Sequence, residues 1–164
     1  MIVRPEQASD IDAIRTLTET AFLTAPHADG TEHLIVDRLR AAGALTLSLV
    51  AEADGAVVGH IAFSPVTISD GSAGWYGLGP ISVDPTRQGE GIGTRLVREG
   101  LERLKALGAA GCVLLGDPAY YARFGFARDP KLVLEGVPPE YFQRVAFSPV
   151  YGGGTVSYHP GFYG

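Results

Sequence analysis

Apolar positions along the chain recur at two periods, one near 3.6 and one of 2, and the switches between them lay out the elements. Ile2 and Val3 open a short strand that stops near Pro5. Ser9 stands where an N-cap belongs, with Asp12 three positions on, a weaker form of the capping box. Ile11, Ile14, Leu17, Ala21 and Phe22 then recur at helical spacing and predict a first helix from about 10 to 23. Pro26, Asp29 and Gly30 break it. A second helix is predicted from Thr31 to Ala42, with Leu34, Ile35 and Leu39 on one face and Gly43 as its stop.

The period then changes to two. Leu45 to Glu52 alternates as a strand, Asp54-Gly55 marks a hairpin turn, and Val57 to about Ile68 reads as the return strand. After a turn at Asp70-Gly71 a further strand runs from Trp75 to Val83. Gly77, Gly79 and Pro80 interrupt it, which signals a bulge or a close backbone approach. Helical spacing returns from about Ile92 to Leu107 through Leu96, Val97, Leu101 and Leu104, and Gly108 ends it. Cys112 to Leu115 is a short buried strand and Pro118 to Phe124 a short helix; the last forty residues read as strands and turns around Pro138-Pro139. The order β-α-α-β-β-β-α-β-α-β-β predicts a mixed α/β fold, a largely antiparallel central sheet with flanking helices.

Composition narrows the function classes. With 164 residues, no internal repeat and no linker, the chain is expected to form a single domain from 1 to 164. Thirteen basic against eighteen acidic residues give a net charge of −5, which disfavours a general nucleic-acid partner. No apolar run approaches the ~20 residues that span a membrane. One cysteine, Cys112, and no secretory leader pattern lead us to expect a reducing, cytoplasmic setting. The four histidines at 27, 33, 60 and 159 show no metal-ligand spacing, so no metal is expected. Cys112 has no evident activating neighbour and reads as core.

The candidate chemistry starts at Gln88-Gly89-Glu90-Gly91-Ile92-Gly93-Thr94, between a strand and a helix. A helix N-terminus leaves N–H groups unpaired and partly positive, and glycines let a phosphate approach them. Alone, such a loop is as compatible with a plain tight turn. Two other phosphate motifs fail here: the Walker lysine is absent, and Thr94 stands where the Rossmann pattern needs its third glycine.

Gln88-Gly89-Glu90-Gly91-Ile92-Gly93 resembles the Q/R-x-x-G-x-G/A signature of the GNAT superfamily of N-acetyltransferases. Ile81-Ser82-Val83-Asp84-Pro85 is similar to that family's preceding strand end, and Tyr121-Ala122-Arg123-Phe124-Gly125-Phe126 looks like its Y-x-x-x-G-F motif. The resemblance runs from the first strand to Phe126 and is nearest to a bacterial subgroup without an assigned substrate. It implies a sheet with a splayed strand pair, acetyl-CoA as co-substrate, and direct attack by an amine of a small molecule or protein. Ile81, Ser82 and Val83 would then line the pantetheine arm. Gln88, Gly89, Glu90, Gly91, Ile92, Gly93 and Thr94 would hold the pyrophosphate, with Arg87 or Arg95 nearby. A homodimer is implied by family habit.

The reaction needs a base for the acceptor ammonium, a donor for the developing oxyanion and an acid for the departing thiolate. The oxyanion donor would be a backbone N–H near Leu78 or Gly79. Tyr121 occupies the family's acid position, and a phenol with a pKa near ~10 is protonated at neutral pH. The base is left open. The family's usual carboxylate position reads Trp75-Tyr76-Gly77-Leu78, and the candidates are Glu32, Glu52, His60 or a chain of water molecules. Phe22, His27, Glu32 and Leu78 are candidates for the acceptor wall. Without a carboxylate at the usual place, a catalytically weak acyl-CoA binding or sensing module is the alternative function; a phosphate-binding protein for another nucleotide is a third.

Overall fold

A computed structural model describes residues 1–25 and 28–164. The elements in chain order are β1 (Ile2–Pro5), α1 (Ile11–Phe22), α2 (Glu32–Ala41), β2 (Leu47–Ala53), β3 (Ala56–Pro65), β4 (Thr67–Ile68), β5 (Trp75–Val83), α3 (Ile92–Ala106), β6 (Gly111–Leu115), α4 (Pro118–Tyr121), β7 (Leu132–Val133), β8 (Phe142–Ala146) and β9 (Gly154–Ser157). Three expectations need correction. Ser9 is not a cap: the chain first makes a 3-10 turn over Ala8–Asp10, and Asp10 accepts from the Gln7 N–H at 2.7 Å while gripping Arg4. The predicted strand Val57 to Ile68 divides at Val66, because its last two residues leave for a second sheet. Three short strands, rather than two, follow α4.

The main sheet has the order β1-β2-β3-β5-β6-β8, antiparallel except for the β5–β6 pair. The small sheet β4-β9-β7 packs on a second apolar cluster around Trp75, Val113 and Phe142. Asp54 and Gly55, both at positive φ, turn β2 into β3.

Two irregularities of β5 position the site. Its parallel ladder with β6 covers only Trp75–Gly77 against Gly111–Val113, after which the strands part. Its register with β3 also jumps, from Ile61↔Ile81 to Phe63↔Leu78, so β5 carries an extra residue around Gly79-Pro80.

The two faces of the sheet are filled differently. Leu49, Ile61, Phe63 and Leu78 pack against Leu96, Val97, Leu101 and Leu104 of α3. Alternation turns Val50, His60, Ala62 and Ser64 the other way, where Val50 meets Ile14 of α1 and Val36 of α2. The C-terminal tail returns to this second face: Tyr158 fills the space a side chain at Gly77 would need, and Arg38 of α2 donates to the Gly161 carbonyl at 3.1 Å. No helix among the described residues is long and apolar enough to cross a membrane.

Candidate active-site cleft

Where β5 and β6 part, a cleft of about 580 Å³ opens. Four segments wall it: Ala21, Phe22 and Ala25 at the end of α1; Ile81, Ser82 and Val83 of β5; the loop from Arg87 into the first turn of α3; and Tyr120, Tyr121 and Arg123.

The loop wall is backbone rather than side chain. Gly91 is the N-cap of α3 at φ +82°, a left-handed conformation that L side chains rarely adopt, and no side chain caps the helix. The first-turn N–H groups of Ile92, Gly93 and Thr94 therefore lack intrahelical acceptors, and the helix dipole adds to their positive character. A Cβ built on Gly91 meets nothing within 4 Å, so the space in front of these donors is open. Gln88, Gly89, Gly91, Ile92, Gly93 and Thr94 all line the cleft, whereas Glu90 does not and instead takes the Arg87 guanidinium at 3.1 Å. Arg95 is turned away, with Nη1 donating to the Met1 carbonyl at 3.0 Å.

The facing wall is set by α4. Asp117 accepts from the Ala119 N–H at 2.9 Å and Pro118 starts the turn, which brings two tyrosines to the cleft in succession. The Tyr121 ring occupies the space that a Cβ on Gly116 would need, and meets Tyr120 edge-on at 4.9 Å. Burial, with the neighbouring Tyr120 adding to it, pushes the Tyr121 phenol up to about 12, so it keeps its proton throughout the neutral range. Tyr120 Oη lies 3.0 Å from Thr94 Oγ1 and ties this wall to the start of α3. The Arg123 guanidinium sits 4.3 Å from the centre of the Tyr120 ring, and its Nε donates to the Tyr120 carbonyl at 2.8 Å. Tyr120 and Arg123 were not among the expected site residues; their i, i+3 spacing on the short helix was the available signal.

The candidate bases and Leu78 fall outside the lining. His60 is fully buried on the second face of the sheet, its Nε2 2.7 Å from Ser48 Oγ. Ser48 hydrogen-bonds Glu6, and Arg40 donates to the two Glu6 oxygens at 3.1 and 2.9 Å. Burial holds His60 down to about 4, with the Glu6 charge opposing and that of Arg40 adding. Ser82, in register opposite His60, does line the cleft. Glu32 accepts from the Asp29 N–H at 3.0 Å at the start of α2, and Glu52 is drawn to Arg4 at 3.5 Å. Leu78 is buried in the α3-side core. Of the candidate acceptor wall, Phe22 lines the cleft and His27 lies outside the described residues. Cys112 is fully buried, and burial pushes its thiol up. Among the described residues no cluster of three or more His, Cys, Asp or Glu is placed to hold a metal.

The profile of the acetyltransferase (GNAT) family matches residues 11–126. The N-acetyltransferase YhbS of Escherichia coli K12 is 42% identical over 127 residues, which is 77% of this chain and 73% of that protein. Among solved structures, a GNAT family acetyltransferase from Brucella melitensis in complex with acetyl-CoA matches with a TM-score of 0.88 at 54% identity, over 98% of this chain and 97% of that one. The structure of YhbS from Escherichia coli in complex with CoA matches with a TM-score of 0.91 at 36% identity, over 99% and 91%.

Proposed function

The chain belongs to the acetyltransferase (GNAT) family, and on that premise we propose that it moves an acetyl group from acetyl-CoA to a primary amine of a small molecule or a protein. One observation carries this reading: the parting of β5 from β6 opens onto an uncapped helix N-terminus whose access is kept clear at Gly91. Open backbone donors beside a cleft of this size suit a pyrophosphate with a long arm. The N–H groups from Gln88 to Thr94 would hold the phosphates, and Arg123, rather than the ion-paired Arg87, would add positive charge. The edge of β5 around Ile81, Ser82 and Val83, which β6 leaves uncovered, would line the arm.

When bound, acetyl-CoA supplies the acetyl group as a thioester, ready for attack by an amine lone pair. Tyr121 lines the cleft and its phenol holds a proton at neutral pH, so it would protonate the departing sulfur. Phe22, at the end of α1, would wall the acceptor. The buried free thiol of Cys112 supports a reducing cytoplasmic setting. No carboxylate is among the described residues that line the cleft, which favours a second reading, an acyl-CoA binding module with weak catalysis.

The test is free-thiol release from acetyl-CoA across a panel of small amines and lysine peptides. Turnover with at least one amine is expected. Binding of acetyl-CoA without release would select the second reading. Tyr121→Phe should lower kcat by about 10- to 100-fold while the KM for acetyl-CoA stays within about twofold. Unchanged turnover would remove Tyr121 from the acid role.

A further inference from the structure

Gln143 on β8 is a polar side chain in an apolar place. It is 2% exposed and stands opposite Leu114 in the β6–β8 ladder, on the α3 side of the sheet. Its Oε1 has no hydrogen-bond partner among the described residues. A buried amide with an unmet acceptor costs stability, and an apolar side chain of the same volume would fill the place more cheaply. What Gln143 does make is a bond from Nε2 to the Gly116 carbonyl at 3.0 Å, with the Tyr141 carbonyl 3.5 Å away. Both neighbours are acceptors, so the amide stands with its nitrogen toward them.

Gly116 is the first residue beyond β6, where the chain leaves the sheet for α4. The strand ladder ends just before it, at Leu115↔Phe142. Gly116 is then held from two directions: its N–H donates to the Tyr141 carbonyl at 3.0 Å, and its carbonyl accepts from Gln143. Asp117 follows and caps α4, taking the Ala119 N–H on its side chain at 2.9 Å and the Tyr121 N–H on its carbonyl at 3.0 Å. The helix has four residues, and a single turn is not stable by itself, so its place comes from its anchors. The Tyr121 ring closes back onto Gly116 and stands where a Cβ there would be. The Gln143 amide therefore holds the residue against which the Tyr121 ring rests.

We infer that Gln143 is the positioning residue for Tyr121: through Gly116 it keeps the phenol where it serves the departing thiolate. This rests on the acid role given to Tyr121 above. Gln143 lies outside the cleft lining and exchanges no proton. A general acid must stay within hydrogen-bond reach of its target, and a displacement of about 1 Å costs up to about 100-fold in rate. Releasing the Gly116 carbonyl lets the ring that rests on this residue shift, so the loss falls on the chemical step. Cofactor binding at the open end of α3 is spared. Stability is spared as well, because Gly116 is half-buried and water can take its carbonyl.

The test is a double-mutant cycle on thiol release, with the panel amine that the wild-type enzyme turns over fastest. Gln143→Met keeps the volume and removes the donor. It should lower kcat about tenfold, with the acetyl-CoA KM within about twofold and the melting temperature within about 4 °C of wild type. Gly116→Ala, whose Cβ would meet the Tyr121 ring, should lower kcat at least as much. Added to Tyr121→Phe, each should lower kcat by less than about a further twofold, because the group they position is already gone. Losses that multiply in the Tyr121→Phe background, or an unchanged kcat in Gln143→Met, overturn the positioning role and leave the acetyltransferase reading intact. Unchanged turnover in Tyr121→Phe removes the acid and this role with it. No thiol release from the wild-type enzyme with any amine overturns the acetyltransferase reading too. Fluorine-19 NMR of fluorotyrosine-labelled protein gives a check without turnover. Gln143→Met should move the Tyr121 resonance, assigned by its loss in Tyr121→Phe, and an unmoved resonance overturns the role.

Discussion

The two faces of the central sheet are built from alternate residues of the same strands and do different work. On the α3 side, Leu49, Ile61, Phe63 and Leu78 meet Leu96, Val97, Leu101 and Leu104 in one apolar layer, and the Phe63 ring fills the space that a side chain at Gly100 would occupy. On the α1–α2 side the same strands bury Ser48, His60, Ser64 and Ser82, two of whose hydroxyls and one ring nitrogen lack protein partners. The apolar face converts burial into stability. The polar face gives up some of that stability, because it buries hydroxyls and a ring nitrogen that make no protein hydrogen bond. Strands that hold both kinds of residue at period two let a family keep its core while the chemistry on the other side changes.

Substitutions should therefore act differently on the two faces. Phe63→Ala should cost about 4 kcal/mol of stability, because its ring is fully buried and packed tightly against α3. Urea unfolding measures this, and a loss below about 1 kcal/mol would mean that the layer relaxes around the gap. The polar face should respond to acid instead. His60 has its folded pKa lowered to about 4 from 6.5, with Glu6 and Arg40 the charged groups acting on it. The unfolded chain thus binds the extra proton first, and stability falls as pH drops from about 6.5 toward 4. The fall should total about 3 kcal/mol for this residue. The fall should be absent in His60→Gln and appear in full in the difference between wild type and that variant; its persistence in His60→Gln would assign it to another group. Smallest is Ser64→Ala, which removes a buried hydroxyl that has no partner. It should change stability by less than about 1 kcal/mol, toward the stable side, and a larger loss would reveal an unseen partner for that hydroxyl.

What the sequence alone conveys follows from the range of the interactions involved. The loop from Gln88 to Gly93, the Asp54-Gly55 turn and the irregular strand at Gly79-Pro80 are local backbone features, and glycine and proline mark them directly. The Ser9 cap failed because Asp10 satisfies Gln7 while also pairing with Arg4, a contact with β1 that a capping pattern does not contain. The environment of His60 depends on Ser48, in the neighbouring strand β2, and on Glu6, just after β1, both far from it in sequence. A strand histidine reads the same whether it faces a cleft or, as here, sits behind one. Tyr120 was passed over as a site residue for a similar reason, since its partner Thr94 is 26 residues away.

The most direct test of the account is calorimetric titration of acetyl-CoA into the wild-type protein and into Gly91→Val. The φ of +82° at Gly91 and the open space before it are what the cradle requires. Single-site binding by the wild type is predicted, weakened at least about tenfold in the variant, because a valine strains the cap and crowds the phosphate approach. No binding by the wild type, or equal binding by both proteins, would contradict the assignment of this cleft to acetyl-CoA.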